Sequence, residues 1–490
     1  MSSRTHTKIG LFMAIFAILF CSFIIAFFPI SVFEVHAQEK YEYYGYVPAK
    51  IWQYNLTDAN NVNSGWRLPT STVASAALIV IIAIKNNTQV DVFNLDNGSL
   101  ISEATINSMQ RCYAVFKNGT AFKVVTSELT NVLLLNYGSV PPSNATSGPV
   151  PVTFYQSTDG AYVGKEFIFM GSGLGYNLDY LILALENAKV TVTRDDGDIQ
   201  QFSIAANTWE EPIWRPFRIY KVVSTGNIMI QSGRLPDAWG EPRTLCVPSV
   251  DGGFMGNTFY SWSQTSWDLT ENYGFRASAA QDTKITVWNL ETQQKILTAD
   301  IQAGSGFGFK PQAPAIIVKS DQPVTLEYIH NGSLENREGT GMYGAYGSGV
   351  AYIGVKPDED TAFYLPVDSY VEAYIFASEN TDITIDWTLN WTIQANTYYS
   401  LSTPGTHIIR ANKNVVIEVL NWPFEPEYQG LQYEGVQIPS IQTVDVVPDV
   451  SLTPLGESFP ITYVIIGVAA AAIVGLAVMQ FFKGRRKKIT

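Results

Sequence analysis

Two histidines, His330 and His407, stand 77 residues apart between the apolar ends of this chain, each near the end of a β-patterned run with no Cys or second His beside it. Zinc needs three or four converging N, S or O ligands, and a Ser-His-Asp triad needs a nucleophile turn such as Gly-x-Ser-x-Gly, which the chain lacks. Both histidines therefore read as ordinary surface or strand residues. Two acid clusters come next: Asp195, Asp196 and Asp198 in a hairpin turn, and Asp358, Glu359 and Asp360 ahead of a strand. Their carboxylates have the chemistry to hold calcium, but neither shows the spaced ligands and distal Glu of an EF-hand loop. Turn chemistry and solvation account for them as well. A glycosidase pair needs two carboxylates about 5 to 9.5 Å apart, a separation that sequence does not fix. No catalytic residue, cofactor or metal ligand is expected; calcium is the one ion the acids leave open.

The glycine-rich strings give no nucleotide site. GSGLGY from Gly171 follows a strand, but another apolar strand comes next where a dinucleotide loop would open a helix. GTGMYGAYGSG from Gly339 reads as a long surface connection. Aromatic residues are the remaining functional material: 11 Trp and 26 Tyr supply stacking platforms for sugars and anchors for protein partners, although such side chains also fill β cores. Trp262, Trp267 and Tyr273 flank the polar stretch SQTSWDLTENYG and are the expected binding surface.

The elements that must position these residues are written four times. NNTQVDVFNLDNG from Asn86, ENAKVTVTRDDGD from Glu186, QDTKITVWNLETQ from Gln281 and ENTDITIDW from Glu379 align at Val90, Val190, Ile285 and Ile383, spaced by 100, 95 and 98 residues. A turn and a returning strand follow in each: ATINS from Ala104, FSIAANT from Phe202, ADIQAGS from Ala299 and WTIQANT from Trp391. Each unit closes on two strands around a polar turn, such as KVVSTGNIMI from Lys221 and IIVKSDQPVTLEY from Ile316. Period-two alternation between Gly, Pro, Asn and Asp turns specifies half-buried antiparallel sheet. The chain is thus expected to be all-β, with four tandem antiparallel units of about 95 residues. Units of that size fit β-sandwich modules, with blades of one β-propeller as the alternative.

The order GKEF at Gly164 to Phe167, an apolar strand ending in ALEN, VTV, an Asp-Gly turn, and KSDQPVTLEY at Lys319 to Tyr328 resembles the N-terminal domain of IgGFc-binding protein and its microbial surface-protein relatives. That resemblance implies a repeated β unit used in binding or adhesion at cell surfaces. The chain departs from the pattern where Asp360 replaces the initial Gly of the fourth unit, where Pro323-Val324 occurs only once, and in lacking the Cys pairs of animal members.

The ends supply the setting. Arg4 and Lys8 precede an apolar run from Ile9 to Phe33 and Val35-His36-Ala37, the pattern of a signal peptide cleaved after Ala37, with an uncleaved anchor as the alternative. Ile461 to Phe482 is 22 residues without a charge, long enough to cross about 30 Å of hydrocarbon, and the basic run Lys483 to Lys488 follows. The expected organisation is signal peptide 1–37, lead-in 38–63, repeats at 64–138, 139–234, 235–335 and 336–423, Pro-rich stalk 424–460, transmembrane helix 461–482 and basic tail 483–490. Within 38–460, 24 Lys and Arg face 43 Asp and Glu, a net −19 that argues against nucleic acid as a partner. Seven Asn-x-Ser/Thr sites, at Asn55, Asn86, Asn97, Asn118, Asn144, Asn331 and Asn390, are glycosylation candidates. Cys112 and Cys246 are the only thiols of this segment and form the candidate disulfide. The expectation is a type I membrane-anchored surface protein that recognises an extracellular protein or glycan without catalysis. A self-associating cell-envelope or S-layer component and an extracellular propeller hydrolase are the alternatives.

Overall fold

The computed structural model describes residues 40–47, 51–53, 72–74, 76–117, 119–136, 151–155, 162–171, 178–215, 217–234, 246–250, 254–263, 274–329, 334–335, 342–343, 349–365, 370–422 and 436–444. The signal peptide, transmembrane helix, basic tail, His330, Trp267, Tyr273, Asn55, Asn118, Asn144 and Asn331 lie outside them. The described residues are all-β, with one 3-10 turn at Ile441–Thr443. No helix among them is long and apolar enough to cross a membrane.

Each unit folds into two packed layers of strands, two separate sheets in units 1 and 4, unlike the single-layer blade of a propeller. A hairpin sheet carries the aligned repeat. In unit 1 its order is Tyr41–Tyr46, Ala121–Thr126, Thr88–Asn94, Ser99–Ile106; in unit 4 it is Thr361–Leu365, Gly405–Ala411, Thr381–Ile385, Leu389–Ile393. A second sheet holds the strands on either side of that hairpin. In unit 1 its order is Pro151–Tyr155, Thr130–Asn136, Ala76–Ala83, Arg111–Lys117; in unit 4 it is Gly349–Val355, Val415–Trp422, Tyr370–Ala377, Thr397–Leu401. Units 2 and 3 repeat this plan with one difference: the long strands Ile219–Arg234 and Ala315–Ile329 run through both layers, joining them into one sheet. The repeat holds at the level of register, since Val90, Val190, Ile285 and Ile383 stand opposite Ala104, Phe202, Ala299 and Trp391.

The second sheet is buried on both faces, and this explains its unbroken apolar runs. In Ala76–Ala83, Ile79 and Ile81 enter the core of unit 1, while Leu78, Val80 and Ile82 enter an apolar cluster with unit 4. In Leu178–Ala184, Tyr180 and Ile182 fill unit 2, and Leu181 and Leu183 pack on unit 1. In Tyr370–Ala377, Ala373 and Ile375 fill unit 4, and Tyr374 and Phe376 pack on unit 3. At about 1.5 to 3 kcal/mol for each large side chain buried, the second face contributes as a core does. We call this layer the seam sheet, because its far face meets the opening strand of a neighbouring unit.

The seams close on themselves: unit 2 packs on the opening strand Tyr41–Tyr46 of unit 1, unit 3 on Val163–Met170 of unit 2, unit 4 on Gly256–Trp262 of unit 3, and unit 1 on Thr361–Leu365 of unit 4. At the last of these, the Arg111 guanidinium lies 4.6 Å from the centre of the Tyr364 ring. Head-to-tail contacts between like units close when the rotation per unit divides the circle, and here four suffice.

Two segments outside the expected repeats belong to this ring. Tyr41–Tyr46, read as lead-in, is the opening strand of unit 1. Val436–Ile438, read as stalk, pairs with Leu326 to Tyr328 of unit 3. Pro151–Tyr155 and Cys246–Val247 each complete the seam sheet of the unit they follow, whereas Gly349–Val355 joins unit 4, so the chain returns from beyond unit 4 to complete unit 3. The glycines that open GKEF at Gly164 and GNTF at Gly256 admit this fit. A Cβ on Gly256 would stand 2.1 Å from Ser440 Oγ, and one on Gly164 would stand 2.5 Å from Ser249 Cβ. Gly256→Ala is therefore expected to cost about 1 to 3 kcal/mol of stability, read as a shift in denaturant midpoint.

Candidate recognition surface

The outermost strand of the unit 4 hairpin sheet, Leu389–Ile393, has no further strand beside it in that sheet among the described residues, and its first four residues are exposed. Leu389 and Trp391 stand opposite Ile385 and Ile383, so they share the face of the sheet that points into the sandwich. Ile383 and Ile385 are covered, but the edge position leaves Trp391 55% and Leu389 38% exposed. Trp387, in the turn before them, is 57% exposed, and Tyr399 of the facing sheet lies 5.6 Å from Trp391 between ring centres. Three large apolar side chains thus line one open edge.

The turn that presents Trp387 is held against its own preference. Asp386 and Trp387 have φ of 51° and 58°, and Thr388 N–H donates to Ile385 O at 3.2 Å, the geometry of a type I′ turn. That turn ordinarily takes Asn or Gly, and a bulky side chain at positive φ is an outlier that costs about 1 to 3 kcal/mol. Asp386 supplies the compensation: its Oδ1 accepts from Ile408 N–H at 3.0 Å, and its Oδ2 lies 2.8 Å from His407 Nδ1. The other ring nitrogen of His407, Nε2, lies 2.8 Å from Thr403 O, and the ring packs on Phe363 at 5.3 Å. His407 is therefore buried within the scaffold and anchors the turn, rather than standing at the surface.

Corresponding edges of the other units differ. Ser99–Ile106 exposes Leu100 and Ile101, and Ile199–Ile204 exposes Ile199, while Lys295–Ile301 begins on a lysine and keeps Ile296 and Leu297 half-buried. Register breaks interrupt the first and third of these hairpins but not the second and fourth, and only the fourth carries exposed indoles. Unit 4 therefore offers a regular, uncharged edge with two exposed indoles.

The structure gives other expected site residues different surroundings. Trp262 is half-buried in the seam between units 3 and 4, stacked on Tyr374 at 4.5 Å and 6° and edge-on to Tyr398, so its ring is committed to packing. The calcium reading of Asp195, Asp196 and Asp198 gives way to arginine pairing: Arg194 holds Asp196 and Asp198 at 2.7 and 3.1 Å, and Arg218 holds Asp195 and Asp196 at 2.8 and 3.2 Å. The bond from Arg194 brings the Asp196 carboxyl down to about 2. Asp360 pairs with Arg410 at 2.8 Å, and no group of three metal-ligating side chains occurs among the described residues. Cys112 and Cys246 are free thiols in and against one apolar cluster, so the candidate disulfide is not formed, and burial raises the Cys112 thiol to about 11. Asn86, Asn97 and Asn390 are exposed, and Asn390 shares its strand with Trp391.

Neither Trp387 nor Trp391 was singled out by pattern. The signal was available in the alignment of units: Trp391 holds the register position of Ala104, Phe202 and Ala299, and the turn Asp386-Trp387-Thr388 lacks the glycine that the turns of units 1 and 2 carry at Gly98 and Gly197.

No protein-family model matches the chain, and no curated protein matches it. Among solved structures it aligns with an anti-sigma factor domain-containing protein from Clostridium clariflavum over 75% of this chain and 99% of that one (10% identity, TM-score 0.09). A tetra-tandem repeat from the extending region of a large adhesion protein covers 68% of this chain and 86% of its own (11%, TM-score 0.09). The Bacillus anthracis TIE protein covers 76% and 69% (12%, TM-score 0.07). Scores this low carry neither fold nor function.

Proposed function

We propose that this chain is a non-catalytic recognition protein of the cell surface, binding an extracellular protein or glycan through the Trp387, Leu389 and Trp391 edge of unit 4. The observation that carries the reading is two exposed indoles, Trp387 on a strained turn that Asp386 and His407 hold in place and Trp391 on the edge strand that follows it. Such rings stack on the apolar faces of sugars or seat apolar side chains, and a pinned turn lowers the ordering cost of binding. The resemblance carried by GKEF at Gly164 to Phe167 and KSDQPVTLEY at Lys319 to Tyr328 supports an adhesive role, and the apolar ends support a single-pass type I setting with a stalk segment between ring and membrane. Full-length protein screened on printed oligosaccharides and on a panel of extracellular proteins is expected to give hits that Trp387→Ala/Trp391→Ala loses without a change in melting temperature. Hits retained in full by the double variant would overturn the reading.

The regular, uncharged edge strand Leu389–Ile393 favours a second reading, edge-to-edge self-association in an envelope lattice. Sedimentation velocity over a concentration series, with and without calcium, separates the two: growth with concentration supports the lattice, and a constant monomer supports the receptor.

A further inference from the structure

One position of the seam sheet recurs on the same neighbour in unit after unit. Gln231 of unit 2 stands opposite Leu181, Glu327 of unit 3 opposite Arg276, and Glu418 of unit 4 opposite Tyr374, all equivalent in register. The opening strands end on equivalent residues too, with Tyr46 opposite Ala121 and Trp262 opposite Ala315. At the seam of units 1 and 2, Gln231 clasps this end residue in both directions: Tyr46 N–H donates to Oε1 at 3.0 Å, and Nε2 donates to Tyr46 O at 2.6 Å. At the seam of units 3 and 4, Trp262 N–H donates to Glu418 Oε2 at 2.6 Å, while Ser261 Oγ donates to Trp262 O at 2.9 Å. The same backbone group is thus held by an amide in one seam and by a carboxyl in the other.

We infer that Glu418 closes the seam of units 3 and 4 as an uncharged carboxyl, the acid counterpart of the Gln231 amide, so that opening this seam releases a proton. Its surroundings require this. Glu418 is fully buried, and the groups facing it are Tyr352 from Gly349–Val355, Tyr374 from Tyr370–Ala377, and Ser261 and Trp262 from Gly256–Trp262. Tyr352 and Ser261 hydroxyls lie 2.8 Å apart beside it, and Tyr374 is a phenol that burial, and then its hydrogen bond with Glu372, holds well above its ordinary range. Arg276, which would favour a charge, stands at the Glu327 position in the preceding seam. A carboxylate without a cation in such a place pays the full cost of desolvation, whereas the acid does not. Burial accordingly pushes Glu418 up to about 8, even though hydrogen bonds from the Trp262 N–H and from the Tyr352 and Ser261 hydroxyls pull the other way. In an opened seam the group returns to the ordinary glutamate range and ionises.

Hydrogen exchange on the full-length chain tests this. The opening constant of the peptide spanning 256–263 is expected to rise about tenfold per pH unit between pH 5.5 and 7.5, after correction for intrinsic exchange, and to level off above about 8. Glu418→Gln, which restores the amide, is expected to remove that slope, and the peptide spanning 41–47, clasped by Gln231, is expected to show none. A flat profile for 256–263 in the wild type, or a slope that survives in Glu418→Gln, would overturn the inference. Should Glu418→Gln fail to fold, the wild-type profile is read beside that of Glu327→Gln: a slope retained there supports Glu418 as its source, and a flat wild-type profile or a slope lost in Glu327→Gln overturns the inference.

Discussion

The folded protein is expected to lose stability steadily as the pH rises from about 5 to about 8 and to change little just above that. Two carboxyls cause it. Glu418 and Glu327 are both buried, and burial raises each from an ordinary 4.5 to about 8, with Arg276 opposing the rise at Glu327. Between those values the unfolded chain gives up protons that the folded one keeps, so unfolding releases protons and becomes easier as the pH rises. The stabilisation is complete below the unfolded value and is lost as the pH climbs to the folded one. Each unit of raised pKa is worth about 1.4 kcal/mol, so each carboxyl contributes on the order of 3 to 5 kcal/mol to the change. Urea midpoints taken every half pH unit measure it, with Glu327→Gln and Glu418→Gln each expected to remove its share of the slope. Midpoints constant from pH 5 to 8 would show that both groups are ionised in the folded protein.

Trp214→Ala is expected to cost about 3 to 5 kcal/mol, a large effect from a single side chain. Trp214 is 1% exposed at the centre of an aromatic nest, 4.7 Å from Tyr180, 4.9 Å from Tyr220 and 5.7 Å from Phe169 between ring centres. Truncation leaves a cavity whose walls are rigid rings, which collapse poorly, and strands Gln200 Oε1, the acceptor of the indole N–H at 3.1 Å. Trp214→Phe keeps most of the volume and loses that hydrogen bond, so about 1 to 2 kcal/mol is expected. The ordering of the two variants in denaturant midpoint checks the account: a Trp214→Ala protein as stable as the wild type would mean that the nest is not packed as described.

The hairpins were legible in the sequence because alternation is a local property. Val90, Val190, Ile285 and Ile383 point inward and face Ala104, Phe202, Ala299 and Trp391, but the returning strands begin two to five residues before those positions, at Ser99, Ile199, Lys295 and Leu389. The ring was also written there, in a form easily read as one more core strand: ALIVIIA and YLILAL lack polar alternation because their second face meets another unit. Unit 3 hides that signal, since FRASA turns Arg276 and Ser278 toward its seam. Val436–Ile438 was not legible, for three residues among prolines are too few to show a period. Aromatic residues were misplaced for a similar reason: beside a polar stretch Trp262 looks free, yet the ring that covers it, Tyr374, is more than a hundred positions away in the chain. Trp391 looks like a core residue by its register, and only its place at the outer edge of the sheet exposes it.

The account stands most directly on where a partner touches the ring. Hydrogen exchange of the full-length chain, measured with and without a saturating amount of the strongest oligosaccharide or protein hit from the screen, locates that contact. The account predicts protection concentrated over residues 386–401, the pinned turn, the edge strand and Tyr399, with the edges at Ser99–Ile106 and Ile199–Ile204 unchanged. Protection centred on another unit, with residues 386–401 exchanging as in the free protein, would contradict it.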